Sequence, residues 1–381
     1  MSTLACGESH TVIVDTSHRV WVCGSNQFHQ IGSDVIDYTE CVMLSHSSLV
    51  PKTRVVATGQ NHSVFVCMNG RVWVCGNNKC GQLGKQSALL GELDFDNIIS
   101  AACGGSSTFL LTETGQVLSC GSNLFFQLGH QDNTRKFSTF EPVDLPQIVQ
   151  ISCGYEHTLF LDREGNVWGC GNNAYGQLAV GDFVARKPLQ HILMPCEIIS
   201  ICCGIDFSLF IDNSGAVYSC GCNEHGQLGI GNTENQNVAQ KIEGLPRITK
   251  VAAGNSHTLF LDESNTMWAC GANNYEQLCI KSLPGEMTVF TTPIKVSLNQ
   301  PVQAMACGSN YSVLWSGKKV LASGSAEHKQ FGMRKHQYMK KQFAKAPCEL
   351  LLPDPTSEPS LLIVTAVPAK SARNVAIVHP Q

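Results

Sequence analysis

The stretch CGYEHTLFLDREGNVWGCGNNAYGQL, residues 153–178, is followed in the same register by CGIDFSLFIDNSGAVYSCGCNEHGQL, residues 203–228. The glycines fall in step: Gly154 with Gly204, Gly165 with Gly215, Gly171 with Gly221. A chain that repeats one sentence is assembled from copies of a supersecondary unit, and its period has to be read before any site is sought. Written out, the unit is G-x-x-H-T-x-x-x-D-x-x-G-x-V-W-x-C-G-x-N-x-x-G-Q-L-G. Its first glycine recurs at Gly7, Gly59, Gly104, Gly154, Gly204, Gly254 and Gly308, its later one at Gly24, Gly76, Gly121, Gly171, Gly221, Gly271 and Gly324. A decayed half-copy, KSARNVAIV, follows near the C-terminus, with Asn374 in the slot that often holds histidine.

Within a copy the signals are those of strands. HTLFLD and NVWGC are short runs of branched and aromatic residues separated by a glycine-bearing turn. IVQISC (148–153) and ITKVAA (248–253) supply a preceding strand, and segments such as EPVDLP (141–146) a fourth, which proline assigns to an edge. Four antiparallel strands per copy, seven copies and no helical periodicity predict an all-β fold, a seven-bladed β-propeller. The repeats run from residue 4 to 378, so residues 1–381 are expected to form one propeller domain.

Composition fits a buried architecture. Of 381 residues 43% are hydrophobic and 15% charged, and the net charge of −4 gives no general case for nucleic acid or an anionic membrane. No apolar run has the length of a membrane span, and MSTLACGESH lacks the basic and apolar regions of a secretory signal. A cytoplasmic and/or nuclear, reducing location is therefore expected, and there the nineteen cysteines stay free. They recur in two repeat slots, such as Cys6, Cys153 and Cys307 before the first glycine, or Cys23, Cys170 and Cys270 before the later one. Thr58, Ala253 and Ser323 fill equivalent slots, so the position asks for a small, semi-apolar side chain.

Candidate chemistry dissolves into the repeat. His10, His62, His157 and His257 recur in phase, which points to buried imidazoles bonded to loop backbone; an active site needs one histidine, not several. Cys202, Cys203, Cys220 and Cys222 could suggest zinc, yet Cys203 and Cys220 are the two ordinary repeat slots. There is no G-x-S-x-G elbow and no phosphate-binding loop. No cofactor is expected.

The repeat GYEHTLFLDREGNVWGCGNNAYGQL resembles that of the regulator of chromosome condensation family, and the match covers nearly the whole chain. The resemblance implies a scaffold that serves guanine-nucleotide exchange, chromatin binding, ligase adaptors or light sensing. Light sensing in the family uses tryptophans in the G-x-x-H-T loops, where this chain has ES, QN, YE and NS. Exchange on the GTPase Ran uses acids and a histidine on one face and an inserted wedge. Aligned from the C-terminal end, Glu156 matches one such acid, whereas Gly105, Ser256 and Gln27 stand where two further acids and the histidine would be. The blade that should carry the wedge reads CGSNLFFQLGHQDN (120–133), without an insertion. Chromatin-bound members use a basic N-terminal tail, and here the repeats begin almost at Met1.

What varies between copies is a face of short loops. Glu8, Tyr155, Glu156, Asp206 and Glu224 fall after the first glycine or before GQLG and are candidates for an acidic docking rim. MRKHQYMKKQFAK (333–345), in the seventh copy's long connection, adds a basic candidate contact through Arg334, Lys335, Lys340 and Lys341. The expected function is a monomeric protein-binding scaffold or adaptor. The alternative is an exchange factor for a Ran-type small GTPase. Closure is expected to place the N-terminal strand pair in the closing blade, with the tail 361–381 adding strand to that blade.

Overall fold

Each repeat letter turns out to fix one bend or one contact of a four-stranded blade. The computed structural model describes residues 3–15, 17–33, 39–44, 50–131, 133–184, 186–281, 288–316, 319–325, 327–328, 330–331 and 343–349. Seven separate four-stranded antiparallel sheets, each ordered as in the sequence, form a seven-bladed β-propeller. Blade 1 spans Thr3–Met43, blade 2 Thr53–Leu93, blade 3 Ile98–Val143 and blade 4 Ile148–Ile192. Blades 5, 6 and 7 span Ile198–Lys241, Ile248–Lys295 and Val302–Glu349. Among the described residues there is no α-helix, so no helix is long and apolar enough to cross a membrane.

The strands lie close to where the apolar alternation placed them. The inner strand of blade 4 is Ile148–Cys153 and its second strand His157–Asp162. EPVDLP is only the end of an outer strand that begins earlier, Lys136–Val143, with Pro142 opposite Leu118. The second strands of blades 1 to 6 are buried from end to end, as in HTLFLD of blade 4, because each blade is covered on both faces by its neighbours. One core cluster shows this directly: Leu159, Leu161 and Val167 of blade 4 pack with Ile201, Cys203, Phe210 and Cys220 of blade 5.

Polar repeat letters hold the bends. Asp162 Oδ1 accepts the N–H groups of Glu164 and Asn166, closing the hairpin turn, while Oδ2 accepts Trp168 Nε1–H at 3.1 Å. Asp15 and Asp262 do the same for Trp21 and Trp268. In blade 2 Cys67 replaces the aspartate, and the buried Trp73 Nε1 has no partner among the described residues. In the loop after the third strand, Asn173 Oδ1 accepts the N–H of Leu178, and Gln177 Oε1 that of Tyr175.

The blades are joined by one recurring hydrogen bond. The hydroxyl that follows the histidine slot donates to the backbone carbonyl of the GQL glutamine one blade back: Ser63 to Gln30, Thr108 to Gln82, Thr158 to Gln127. Ser208 to Gln177, Thr258 to Gln227 and Ser312 to Gln277 continue the series, all at 2.5–2.9 Å. The seventh bond, Thr11 Oγ1 to Gln330 O at 2.9 Å, closes blade 1 on blade 7. Blade 1, which contains the N-terminal pair, is complete within residues 3–43, and residues 361–381 lie outside the described residues.

The histidines belong to the same seam. They are buried, as expected, but their partner is a hydroxyl of the next blade, not loop backbone. His10 Nε2 meets Ser63 Oγ, His62 Thr108 Oγ1, His157 Ser208 Oγ and His257 Ser312 Oγ, at 2.9–3.0 Å. Each hydroxyl proton is already given to a glutamine carbonyl, so Nε2 is the donor. The ring lies against the repeat's first glycine, and a Cβ on Gly154 would collide with His157.

Two stability predictions follow from this seam. Ser208→Ala removes the hydroxyl partner of His157 Nε2 and the shorter of two donors to the Gln177 carbonyl and is expected to cost about 2–4 kcal/mol, whereas Thr158→Val, which removes only a donor to the Gln127 carbonyl, costs about 1 kcal/mol. Urea denaturation of the two variants checks the ratio, and equal losses would refute the relay.

Burial lowers His10, His62 and His257 to about 3, so the fold holds them neutral while the unfolded chain protonates near 6.5. Their contribution is complete above pH 6.5 and is lost as pH falls towards 3, by up to about 1.4 kcal/mol per histidine per pH unit. The urea midpoint should therefore drop between pH 6.5 and 4.5. His62→Gln should lower the midpoint at pH 7.5 and flatten that drop.

Candidate functional site

The loops between inner and second strands and those after the third strands lie on the same face, because antiparallel neighbours reverse there. In every blade the two are tied by a backbone bond, for example Asn172 N–H to Glu156 O at 2.7 Å and Cys222 N–H to Asp206 O at 2.8 Å. A second set runs from blade to blade around the channel mouth. Glu8 N–H donates to Gln60 O, Gln60 to Gly105, Gly105 to Tyr155, Tyr155 to Ile205 and Ile205 to Gly254, at 2.9–3.3 Å. Side chains on this face therefore project from backbone fixed on both sides.

The candidate acids sit on this face at positions set by amide side chains. Glu8, Tyr155, Glu156 and Asp206 are half-buried and Glu224 is exposed. Asn61 Nδ2 donates to Glu8, Asn172 Nδ2 to Glu156, and Gln177 Nε2 to Asp206 across the blade 4–5 junction, each at 3.4 Å. The Tyr155 ring covers Gly105, where a Cβ would collide with it. An acid at position 105, as the exchange-factor pattern asks, would have to displace that ring. Arg334, Lys335, Lys340 and Lys341 lie outside the described residues.

The sequence reading missed a further set. Two residues before the glutamine of the third-strand loop stand Phe28, Phe125, Tyr175, His225, Tyr275 and His328, with Cys80 in blade 2. All are half-buried, and each donates its N–H to the following glutamine Oε1, as at Phe28, Tyr175 and Tyr275 at 2.9 Å. Reading the copies against each other at this slot would have exposed the ring of aromatic and imidazole side chains; its varied residue types conceal it in any single copy.

The cysteines are placed for packing and hydrogen bonding. Seventeen are described as free thiols. The thiol before the later glycine points at the same glutamine carbonyl that the hydroxyl uses: Cys23 to Gln330 O at 3.1 Å, Cys170 to Gln127 O at 3.3 Å, and Cys220 to Gln177 O at 3.5 Å. Ser323 in the equivalent slot donates to Glu276 O. Cys202 and Cys203 face opposite sides of their strand and enter different core clusters, so the CGC region does not converge on a metal. Among the described residues no group of three His, Cys, Asp or Glu side chains is disposed to hold one. Burial raises Cys75 and Cys203 to about 12. A thiol reagent should therefore reach Cys80, Cys196 and Cys222, the half-buried ones among those described, and the rest only in denaturant. Rapid labelling of Cys153 or Cys203 in the native protein would contradict this seating.

Comparison with known proteins agrees with the architecture. Residues 85–379 match the RCC1-like domain, and residues 2–30 and 54–82 the regulator of chromosome condensation (RCC1) repeat. The chain belongs to this family of repeat propellers. Among curated relatives, the X-linked retinitis pigmentosa GTPase regulator homolog of Caenorhabditis elegans is 32% identical over 152 residues, 37% of this chain and 11% of that one. The secretion-regulating guanine nucleotide exchange factor of Bos taurus is 33% identical over 147 residues, 35% of this chain and 30% of that one. These matches thus span a third or less of each relative's length. Among solved structures, human WBSCR16 superposes with a TM-score of 0.74 at 23% identity, covering 83% of this chain and 87% of that one. Prp20p from Saccharomyces cerevisiae, described with its binding to Gsp1p and histones, gives 0.76 at 18% identity, covering 97% and 92%. At these identities the structures bear on fold alone.

Proposed function

We propose that this chain is a single monomeric propeller domain of the cytoplasm or nucleus that docks a protein partner on its loop face. The observation that carries this reading is the run of inter-blade backbone bonds from blade 1 to blade 6, with the tie between the two loops of each blade. It holds Glu8, Tyr155, Glu156 and Asp206 in fixed relation, with Glu224 beside them, and a rigid surface of this kind binds without a large ordering cost. Arg334, Lys335, Lys340 and Lys341, which stand in the sequence between the third and fourth strands of blade 7, are included in this proposal as contacts.

A second reading, exchange on a Ran-type GTPase, is favoured by Glu156 and by the exchange factor among the relatives. An exchange factor must hold the nucleotide-free GTPase more tightly than the loaded one, through contacts at the phosphate and magnesium site. The Tyr155 ring over Gly105 occupies one position from which such a contact would come.

Glu156→Lys with Asp206→Lys is expected to weaken a captured partner about tenfold or more. Glu263→Lys, on the opposite face, should leave it unchanged. Hydrogen exchange of the complex should protect residues 154–157 and 204–207, and catalytic amounts of the chain should not speed GDP release from a Ran-type GTPase. Protection confined to the opposite face would refute the docking reading; accelerated release would establish the second one.

A further inference from the structure

The third-strand loops are copies of one shape. Asparagine Oδ1 accepts the N–H of the GQL leucine, or of its counterpart Ile31, in blades 1 to 6. Glutamine Oε1 accepts the N–H two residues back in all seven. The hydroxyl seam sets each loop against the next by the same bond. Residues in one slot of this loop therefore occupy one place relative to the neighbouring blade.

At the blade 1–2 junction that place is used. Lys79 of blade 2 sets its ammonium 5.9 Å from the centroid of the Phe28 ring of blade 1, within the range of a cation–π contact. The slot of Lys79 holds Ala174 in blade 4 and Asn274 in blade 6. In blades 5 and 7 it holds carboxylates, Glu224 and Glu327, both exposed, and the rings one blade back are Tyr175 and Tyr275. Gln177 binds both the backbone of Tyr175 and the carboxylate of Asp206, which places a second acid on the loop that carries the first of these rings. Where blade 2 supplies a cation to the ring of blade 1, blades 5 and 7 supply an anionic wall beside an aromatic floor from blades 4 and 6.

We infer that Tyr175 with Glu224 and Asp206, and Tyr275 with Glu327, are two seats for lysine or arginine side chains of a basic segment on the docked partner. This rests on the docking reading of the loop face and adds the partner's chemistry to it. Each seat offers a ring face and a carboxylate to one cation, and the two junctions are two blades apart, so an extended chain bearing several cations fits better than a lone residue.

A short fluorescein-labelled peptide of alternating arginine and glycine, titrated by anisotropy at low ionic strength against the full chain, tests the proposal. Glu224→Gln with Glu327→Gln should weaken binding about five- to tenfold. Glu243→Gln with Glu263→Gln, which removes the same charge from exposed positions on the opposite face, should change it less than about twofold. Tyr175→Phe should keep the affinity, and Tyr175→Leu should lose about three- to fivefold. The carboxylates are exposed, so their variants should keep the wild-type urea midpoint. Equal weakening by the two charge pairs, or like behaviour of Phe and Leu, would overturn the seats. Peptide binding that appears only once Arg334, Lys335, Lys340 and Lys341 are changed to glutamine would overturn the assignment of the seats to a partner, since the chain's own cations would then fill them. Loop-face protection by a captured partner, with no binding of this peptide, would overturn the seats and leave the docking reading standing.

Discussion

A serine or threonine hydroxyl given to a glutamine carbonyl one blade back is the constraint on which the ring depends. Propeller blades touch only their neighbours, so relative orientation is set interface by interface. Here every interface has the same buried bond, and Thr11 to Gln330 closes the last on the first. The bond dictates much of the repeat. The carbonyl is presented by a tight turn, which needs the asparagine and glutamine side chains to satisfy its N–H groups. The hydroxyl must be small enough to lie in a fully buried strand. It has room for one more donor, and histidine supplies it in four blades. A second small donor, thiol or hydroxyl, reaches the glutamine carbonyl or the one beside it. The histidine, threonine, cysteine, asparagine and glutamine of the motif are thus one hydrogen-bonded unit spread over two blades.

That spread determines what was legible in the sequence. The inner and second strands of blade 4 could be placed to the residue, because alternation and glycine turns are local signals. The burial of His157 was legible too, since recurrence in phase argues for structure. Its partner was not: Ser208 lies one full period away, and nothing local separates a bond to loop backbone from one to the next blade. The cysteine slot was read as small and semi-apolar, which describes its walls but omits the carbonyl at its end. Glu156 and Asp206 were singled out as candidates because carboxylates beside glycine stand out. The aromatic slot was passed over because Phe28, Tyr175 and His225 look like unrelated loop residues until their shared glutamine bond is seen.

The same rigidity bears on the choice between docking and nucleotide exchange. Exchange needs side chains directed at the nucleotide pocket of a GTPase and differential affinity for its empty state. Around the mouth of this channel the backbone is bonded from Glu8 to Gly254, and Gly105 is roofed by Tyr155. The residue that would place an acid there is thereby committed to seating an aromatic ring. An alternative disposition would have to reshape two adjoining loops at once. Docking asks for less, only that the fixed side chains match a surface.

A repeat protein of this construction separates what it is from what it binds. The letters of the hydrogen-bonded unit cannot vary independently, since losing one orphans a buried group in another blade, at a cost of about 1–3 kcal/mol. The slots between them have no such tie. Lys79, Ala174, Glu224 and Asn274 occupy one position in four blades with four different chemistries, and each is exposed. The unit that fixes the loop therefore leaves its tip free to change sign or shape without disturbing the ring. At the blade 1–2 junction a lysine meets a phenylalanine; at the 4–5 junction the same two slots hold a glutamate and a tyrosine. Because the frame is the same, the difference between those junctions lies in their side chains, above all in the sign of the charge, and charge on a fixed frame can select a partner.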